Sequence, residues 1–338
     1  MKPVITIEDL SGLLAKGGDL NSLPADAVYT PSARDLLRRL RTRQNQGGAA
    51  TPPAKPAAGN SIEKFFRSPE MESRKEQICD IGRRLWQRAY VDGNGGNLSI
   101  RVAENMVLCT PTLVSKGFMK PADLCLVDLD GNQLAGEKKR TSEIFMHLAI
   151  MKAQPKAKAC IHCHPPHATA FAVAGVKPPT CLLPEIEIFC GEVPVAGYDT
   201  PGSKEMAEKV AALAESHNTI LMQNHGVVSW SRDVEDAYFK MEILEAYCVT
   251  VMVTSQLNRA PNTFTHEQMQ DLLSIKQRMG IPDPRLDLKE CNLCDNQDWP
   301  WITCPASTPP ASAAAPDAEA EALVKKITDI IVAKMGEG

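Results

Sequence analysis

Apolar residues recur every three or four positions through SRKEQICDIGRRLWQRAY (73–90), where Ile78, Ile81, Leu85 and Trp86 share one face of a predicted helix. The pattern stops at DGNGGN (92–97), a run of turn formers. Two short apolar runs follow, LSIRV (98–102) and MVLCT (106–110), and read as strands; LCLVDLDGNQL (124–134) reads as a hairpin turning at Asp130-Gly131. TSEIFMHLAIMKAQ (141–154) predicts a capped helix, AKACIHCH (157–164) a strand, KEMAEKVAALAES (204–216) a helix and NTILMQNHGVVSWS (218–231) a strand pair. DVEDAYFKMEILEAYCVTVMVTSQL (233–257) predicts a long helix. Helices and strands interleave throughout, so the expected class is α/β, a mixed or antiparallel central sheet flanked by helices. The hairpin signals argue against a purely parallel sheet.

The body is bracketed by stretches that cannot pack. QGGAATPPAKPAAGN (46–60) and PASTPPASAAAP (305–316) are Pro/Ala-rich linkers. They divide the chain into an N-terminal helical extension (1–45), a linker (46–60), a central body (61–304), a second linker (305–316) and a tail (317–338). In the tail, Leu323, Val324, Ile327, Ile330, Ile331 and Met335 form one apolar stripe, which predicts an amphipathic helix built to dock on another surface. In the extension, Thr30 and Pro31 supply an N-cap and first helical position.

Composition narrows the classes. With 338 residues, 43% of them hydrophobic, and a net charge of −4, the chain can bury a full core and has no general attraction for nucleic acid. No apolar run approaches the roughly 20 residues that span a bilayer, and MKPVITIEDL lacks the order of a secretory signal. The expected location is therefore cytoplasmic, with no membrane partner. Cys125, Cys160, Cys181 and Cys248 sit singly among apolar residues and read as buried reduced thiols. CNLCDNQDWPWITC (291–304) leaves three readings for Cys291, Cys294 and Cys304: packing thiols, a redox pair or an incomplete metal site.

KACIHCHPPHATA (158–170) holds three of the seven histidines. On a strand, His162 and His164 project to one face while Cys163 turns away, which is a chelating arrangement. His225 closes another apolar strand before a glycine. Three histidines with an open fourth position suit a catalytic divalent metal, whereas an isolated H-x-H is as readily incidental. Glu143 stands directly before the predicted helix. It reads either as a capping-box residue or as a general base beside the metal. Thr141 and Ser142 at that helix start, GNGGN (93–97) and CTPT (109–112) are three polar turns suited to a phosphate.

The order GGN-LSIR, TPT, TSE, HCH, NHG resembles the class II aldolase/adducin family over about residues 70–260, most closely its L-fuculose-phosphate aldolase branch. The resemblance implies a central antiparallel sheet with helices on both sides, and a tetramer with active sites at subunit boundaries. It implies Zn2+, or another divalent metal, on His162, His164, His225 and Glu143, with Glu143 serving also as base. It implies a substrate phosphate held by Gly96, Asn97, Thr112, Thr141 and Ser142. The expected reaction is metal-dependent cleavage of L-fuculose 1-phosphate or L-rhamnulose 1-phosphate to dihydroxyacetone phosphate and lactaldehyde, the metal stabilising the enediolate. Lys116, Lys138 and Lys139 then read as solvated or peripheral to the phosphate.

Two departures from the family pattern bear on this. Leu113 stands where the TPTG turn has glycine, and TCLLPEIEIFCGEVPVAGY (180–198) has no tyrosine before Tyr198, so Glu185 and Glu187 become the candidate acids. The alternatives are a pentulose-phosphate 4-epimerase or sugar-phosphate dehydratase of the same family, and a non-catalytic adducin-like module. The linker and tail resemble encapsulation peptides of bacterial microcompartments, and LPADAVYTPSARDLLRRL (23–40) resembles a segment of other microcompartment proteins. Residues 317–338, and with them 1–45, are thus expected to bind shell or cargo proteins in the microcompartment lumen.

Overall fold

The computed structural model describes residues 58–281, 283–288, 293–299 and 302, with scattered positions between 4 and 37. Contacts divide the chain into two units, Met1–Gly59 and Asn60–Gly338. In the first, β1 (Val4–Ile5) pairs in parallel with β2 (Val28–Tyr29), and Leu10, Ala33 and Leu37 form a small buried cluster. Thr30 Oγ1 accepts the Ala33 N–H, the capping role expected of it. The tail expected to be an amphipathic helix lies outside the described residues.

The second unit opens with α1 (Ala58–Phe66) and α2 (Pro69–Gln87). Helix α2 starts four residues before the periodic stretch read above, because Ser68 Oγ caps the Met71 N–H and Pro69 takes the first helical position. Ile78, Ile81 and Leu85 are buried as their spacing predicts; Trp86 is instead half exposed, its ring set edge-on against Phe118 at 5.0 Å. Strands β3 (Asn97–Ala103), β4 (Met106–Cys109), β5 (Cys125–Val127) and β6 (Gln133–Ala135) then form an antiparallel meander.

Helix α3 (Ile144–Ala153) leads to β7 (Ala159–Cys163) and α4 (Pro166–Ala174). After α5 (Pro184–Phe189), β8 (Val195–Ala196) and α6 (Lys204–Ala214), the hairpin β9 (Thr219–Met222) and β10 (Gly226–Ser231) precedes α7 (Val234–Ser255) and α8 (His266–Arg278). The eight strands of the body run in the order β6-β5-β4-β3-β7-β10-β9-β8, antiparallel except where β8 joins β9. This is the mostly antiparallel α/β sheet expected.

Alternation along the strands builds two cores. Leu98, Ile100, Leu108, Leu126, Ile161 and Cys163 face one side, in the cluster that takes residues of α2, α4 and α7. Val107, Cys109, Cys125, Val127 and Cys160 face the other, with residues of α3 and α6. By the two-residue period, His162 shares the face of Cys160. That is the side on which α3, and with it Glu143, is packed.

Beyond α8, Cys181 and Cys294 form a disulfide across 113 residues. This corrects the reading of Cys181 as a reduced thiol and gives Cys294 a partner outside its C-x-x-C; Cys291 and Cys304 lie outside the described residues. Cys125, Cys160 and Cys248 are free and buried, as expected.

Candidate metal and active site

Three backbone devices bring the polar residues together. Asn97 lies opposite His162 in the β3–β7 register, and Val228 of β10 lies opposite it on the other side. The β9–β10 turn puts Asn224 in the left-handed region (φ 54°), so that His225 folds back over the strand ends. Gly226 then has to be glycine: a Cβ there would stand 2.5 Å from the His164 ring and 2.7 Å from the Cys163 carbonyl oxygen.

The result is a compact donor set. His162 Nε2 and His164 Nε2 are 3.2 Å apart. Glu143 Oε2 is 3.5 Å from His162 Nε2, and Glu143 Oε1 is 3.4 Å from His225 Nε2. The ring centroids of the three histidines lie 4.6–5.4 Å from one another. Two donors bound to one tetrahedral zinc at about 2.0–2.1 Å stand about 3.3–3.4 Å apart, so these separations fit a single ion.

The surroundings fit a metal too. His162 Nδ1 can only donate to the Val227 carbonyl oxygen, 2.9 Å away, which leaves Nε2 as the lone-pair nitrogen facing the cluster. Burial, and then the charges of His164 and His225, hold His162 well below the usual histidine range; burial also lowers His225, against the opposing carboxylate of Glu143. Neutral imidazole is the ligand form. Glu143 Oε1 is buried without a hydrogen-bond partner, a costly state that a cation there would relieve.

Glu143 is not a capping-box residue. It is itself the N-cap residue of α3 and makes no side-chain cap bond; the Asn97 amide donates to Oε2 at 2.8 Å, and the Glu143 N–H donates to Thr141 Oγ1 at 3.4 Å. The third histidine of the cluster in sequence, His167, turns away, its Nδ1 2.7 Å from Glu245.

The turns expected to hold phosphate gather beside this set. Pro111 and Arg140 form an antiparallel bridge, with the Thr112 N–H on the Lys139 carbonyl and the Thr141 N–H on the Thr110 carbonyl. Thr112 and Thr141 are thereby neighbours, and Ser142 is exposed at the start of α3. Gly96 adopts φ 71° and sits so close to Val91 and the His162 carbonyl that a Cβ would overlap both. Leu113 takes φ 57°, a left-handed conformation that disfavours any side chain but glycine's, and is 78% exposed.

Some expectations change. Lys138 and Lys139 are exposed as read, but Lys116 is buried between two of the turns, with its Nζ on the carbonyls of Asn94 and Val114. Its side chain had no flag in the sequence, because a lysine among polar turn residues looks solvated. Glu187, read as an acid or a strand residue, lies in helix α5 and is buried against Arg285 at 2.7 Å, where it also accepts the Cys181 N–H. Glu185 is exposed in the same helix.

Comparison with known proteins decides the family. A model of the Class II Aldolase and Adducin N-terminal domain matches residues 76–252. This chain belongs to the class II aldolase and adducin family. It is 40% identical over 169 residues to the L-fuculose phosphate aldolase of Methanococcus maripaludis strain C5, covering 50% of this chain and 88% of that one. It is 35% identical over 175 residues to the 3-oxo-tetronate 4-phosphate decarboxylase of Cupriavidus necator, covering 51% and 80%. The solved structure of an L-fuculose 1-phosphate aldolase superposes with a TM-score of 0.56 at 26% identity, over 61% of this chain and 95% of that one. The chain is thus a lyase of the class II aldolase type, in a family typically dependent on a divalent metal. No helix among the described residues is long and apolar enough to cross a membrane.

Proposed function

We propose that the chain cleaves the C3–C4 bond, one carbon removed from the carbonyl, of L-fuculose 1-phosphate or L-rhamnulose 1-phosphate, releasing dihydroxyacetone phosphate and lactaldehyde, with zinc as its metal. The observation that carries this reading is the Glu143 carboxylate lying 3.4–3.5 Å from two of three clustered histidines, taken with the 40% identical relative. His162, His164, His225 and Glu143 would hold the ion, which supplies the Lewis acid that polarises the substrate carbonyl. Gly96, Asn97, Thr112, Thr141 and Ser142 take the phosphate, Asn97 doing so from a side chain that also steadies Glu143. As the C3–C4 bond breaks, its electron pair moves toward the carbonyl and the C4 hydroxyl passes its proton to Glu143. Glu143 is the residue placed to return a proton to C3.

Decarboxylation is the second reading, and Glu187 favours it. Loss of carbon dioxide from a 3-oxo-tetronate 4-phosphate also breaks a bond one carbon removed from a polarised carbonyl and also leaves dihydroxyacetone phosphate. It needs no group to accept a hydroxyl proton. A site whose candidate acid Glu187 is tied to Arg285, and whose 180–197 segment has no tyrosine, suits that simpler departure.

The test is to offer both ketose 1-phosphates and 3-oxo-tetronate 4-phosphate, measuring dihydroxyacetone phosphate with lactaldehyde or carbon dioxide, with and without chelator. Aldehyde release that chelator and Glu143→Gln both abolish supports the aldolase. Carbon dioxide release alone shifts the assignment to the decarboxylase, and no release from any of the three, with metal bound, reopens the epimerase and dehydratase. A purified chain without bound divalent metal would favour the adducin-like module.

The tail belongs to the same proposal: the enzyme is a homotetrameric microcompartment cargo, carried by residues 317–338 with help from 1–45. Deleting 305–338 is expected to preserve cleavage while abolishing co-purification with shell proteins. Loss of cleavage instead would make the tail part of the catalytic fold.

A further inference from the structure

Lys116 opens a three-residue helical turn (Lys116–Phe118) and is 1% exposed. Its Nζ donates to the Asn94 carbonyl oxygen at 2.9 Å and to the Val114 carbonyl oxygen at 2.6 Å. Asn94 lies in the glycine turn that ends at Gly96 and Asn97; Val114 closes the turn that carries Thr112. One side chain therefore spans two of the three turns assigned above to the substrate phosphate.

Its charge is unbalanced. An ammonium has three donors, and two carbonyls occupy two of them. Among the described ion pairs none includes Lys116: it is buried against carbonyl dipoles, with the Glu143 carboxylate acting on it only from beyond ion-pair distance, a costly state for an ion. Burial pushes the ammonium down to about 8, with the Glu143 carboxylate working the other way. The backbone here has no slack either: a Cβ on Gly82 of α2 would stand 2.6 Å from the Lys116 carbonyl oxygen, so α2 is pressed directly on this turn.

We infer that Lys116 is a positioning residue for the substrate phosphate: it fixes the Gly93–Asn97 turn against the Thr112 turn, and the dianion held there supplies its missing counter-charge. This rests on reading those turns as the phosphate site. The competing role is a staple that holds the loops and does nothing for binding.

The test titrates inorganic phosphate into the full-length, zinc-loaded chain by calorimetry, comparing the parent with Lys116→Met, Lys116→Gln and, as a surface control, Lys138→Met. Both Lys116 variants are expected to bind phosphate about tenfold or more weakly, with zinc content unchanged and Lys138→Met within about twofold of the parent. In the cleavage assay KM should rise while kcat moves less than about threefold. A folded, zinc-loaded Lys116→Gln that binds phosphate like the parent overturns the inference, as does a loss confined to melting temperature. Failure of both variants to fold assigns Lys116 to the fold alone and equally overturns it. A parent chain that binds no phosphate refutes the phosphate reading of the turns, and the inference falls with it.

Discussion

Under the proposed function, Asn97 serves two purposes. Its amide donates to Glu143 Oε2, and groups that orient a metal's ligands typically matter 10- to 100-fold for affinity or activity. Asn97→Ala is accordingly expected to lower turnover or metal affinity by roughly that factor with the far-ultraviolet spectrum unchanged; kinetics beside metal analysis checks it. Gly226 makes a harder demand, since a methyl group there meets the His164 ring and the fixed carbonyl of Cys163. Gly226→Ala should displace His164 and leave the purified protein short of metal, with parental zinc content as the contrary result. His147 works on stability. Its ring, 2.7 Å from Ser99 Oγ, is pushed down to about 3 by burial and then by His162, against Glu143. The unfolded imidazole titrates at about 6.5, so between about 6.5 and 3 the unfolded chain binds a proton that the folded chain refuses. The contribution is complete above about 6.5 and shrinks as pH falls. Urea titrations of His147→Leu at pH 7, 6 and 5 should therefore show a shallower pH slope than the parent, by up to about 1.4 kcal/mol per pH unit.

At the scale of elements, the segment after α7 is held by buried charge and by a covalent bond beside an apolar cluster of Cys181, Met269, Leu273 and Leu293. Lys276 of α8 meets Asp283 at 2.8 Å, and Arg285 joins Asp283 and Glu187 of α5 at 2.9 and 2.7 Å, all of them buried. Breaking such a network from one side leaves carboxylates buried and unpaired. Arg285→Met is expected to cost about 3–5 kcal/mol by denaturant unfolding, while removal of an exposed pair such as Lys204–Glu208 should cost under about 1 kcal/mol. The Cys181–Cys294 disulfide ties the same segment to the chain just before α5. Reduction should lower stability by about 2–4 kcal/mol, seen as a fall in melting temperature with added reductant.

For the molecule as a whole, every residue assigned to the metal, the phosphate and the proton lies in the unit Asn60–Gly338. A fragment starting at residue 60 is expected to bind metal and cleave substrate like the full chain. A fragment that folds and binds metal but has lost cleavage would give the first unit a catalytic part.

The sequence by itself determined most of the element order and picked out the histidines of the candidate metal site. Those properties are local or periodic: strand alternation puts His162 and His164 on one face, and a turn glycine marks His225. It missed α1, whose first residues fall in the stretch read as linker, and α4, α5, β8 and α8, whose short or weakly periodic apolar patterns are hard to distinguish from loop. Only the tertiary structure decided the surroundings of Glu143, Glu187, Lys116 and Cys181, because each has its partner elsewhere in the chain: Asn97 and the histidines, Arg285, the Asn94 turn, and Cys294. Composition and spacing report which groups a chain carries. Whether a carboxylate caps a helix, faces a metal or neutralises an arginine is set by what the fold buries beside it, where desolvation makes the choice of partner decisive.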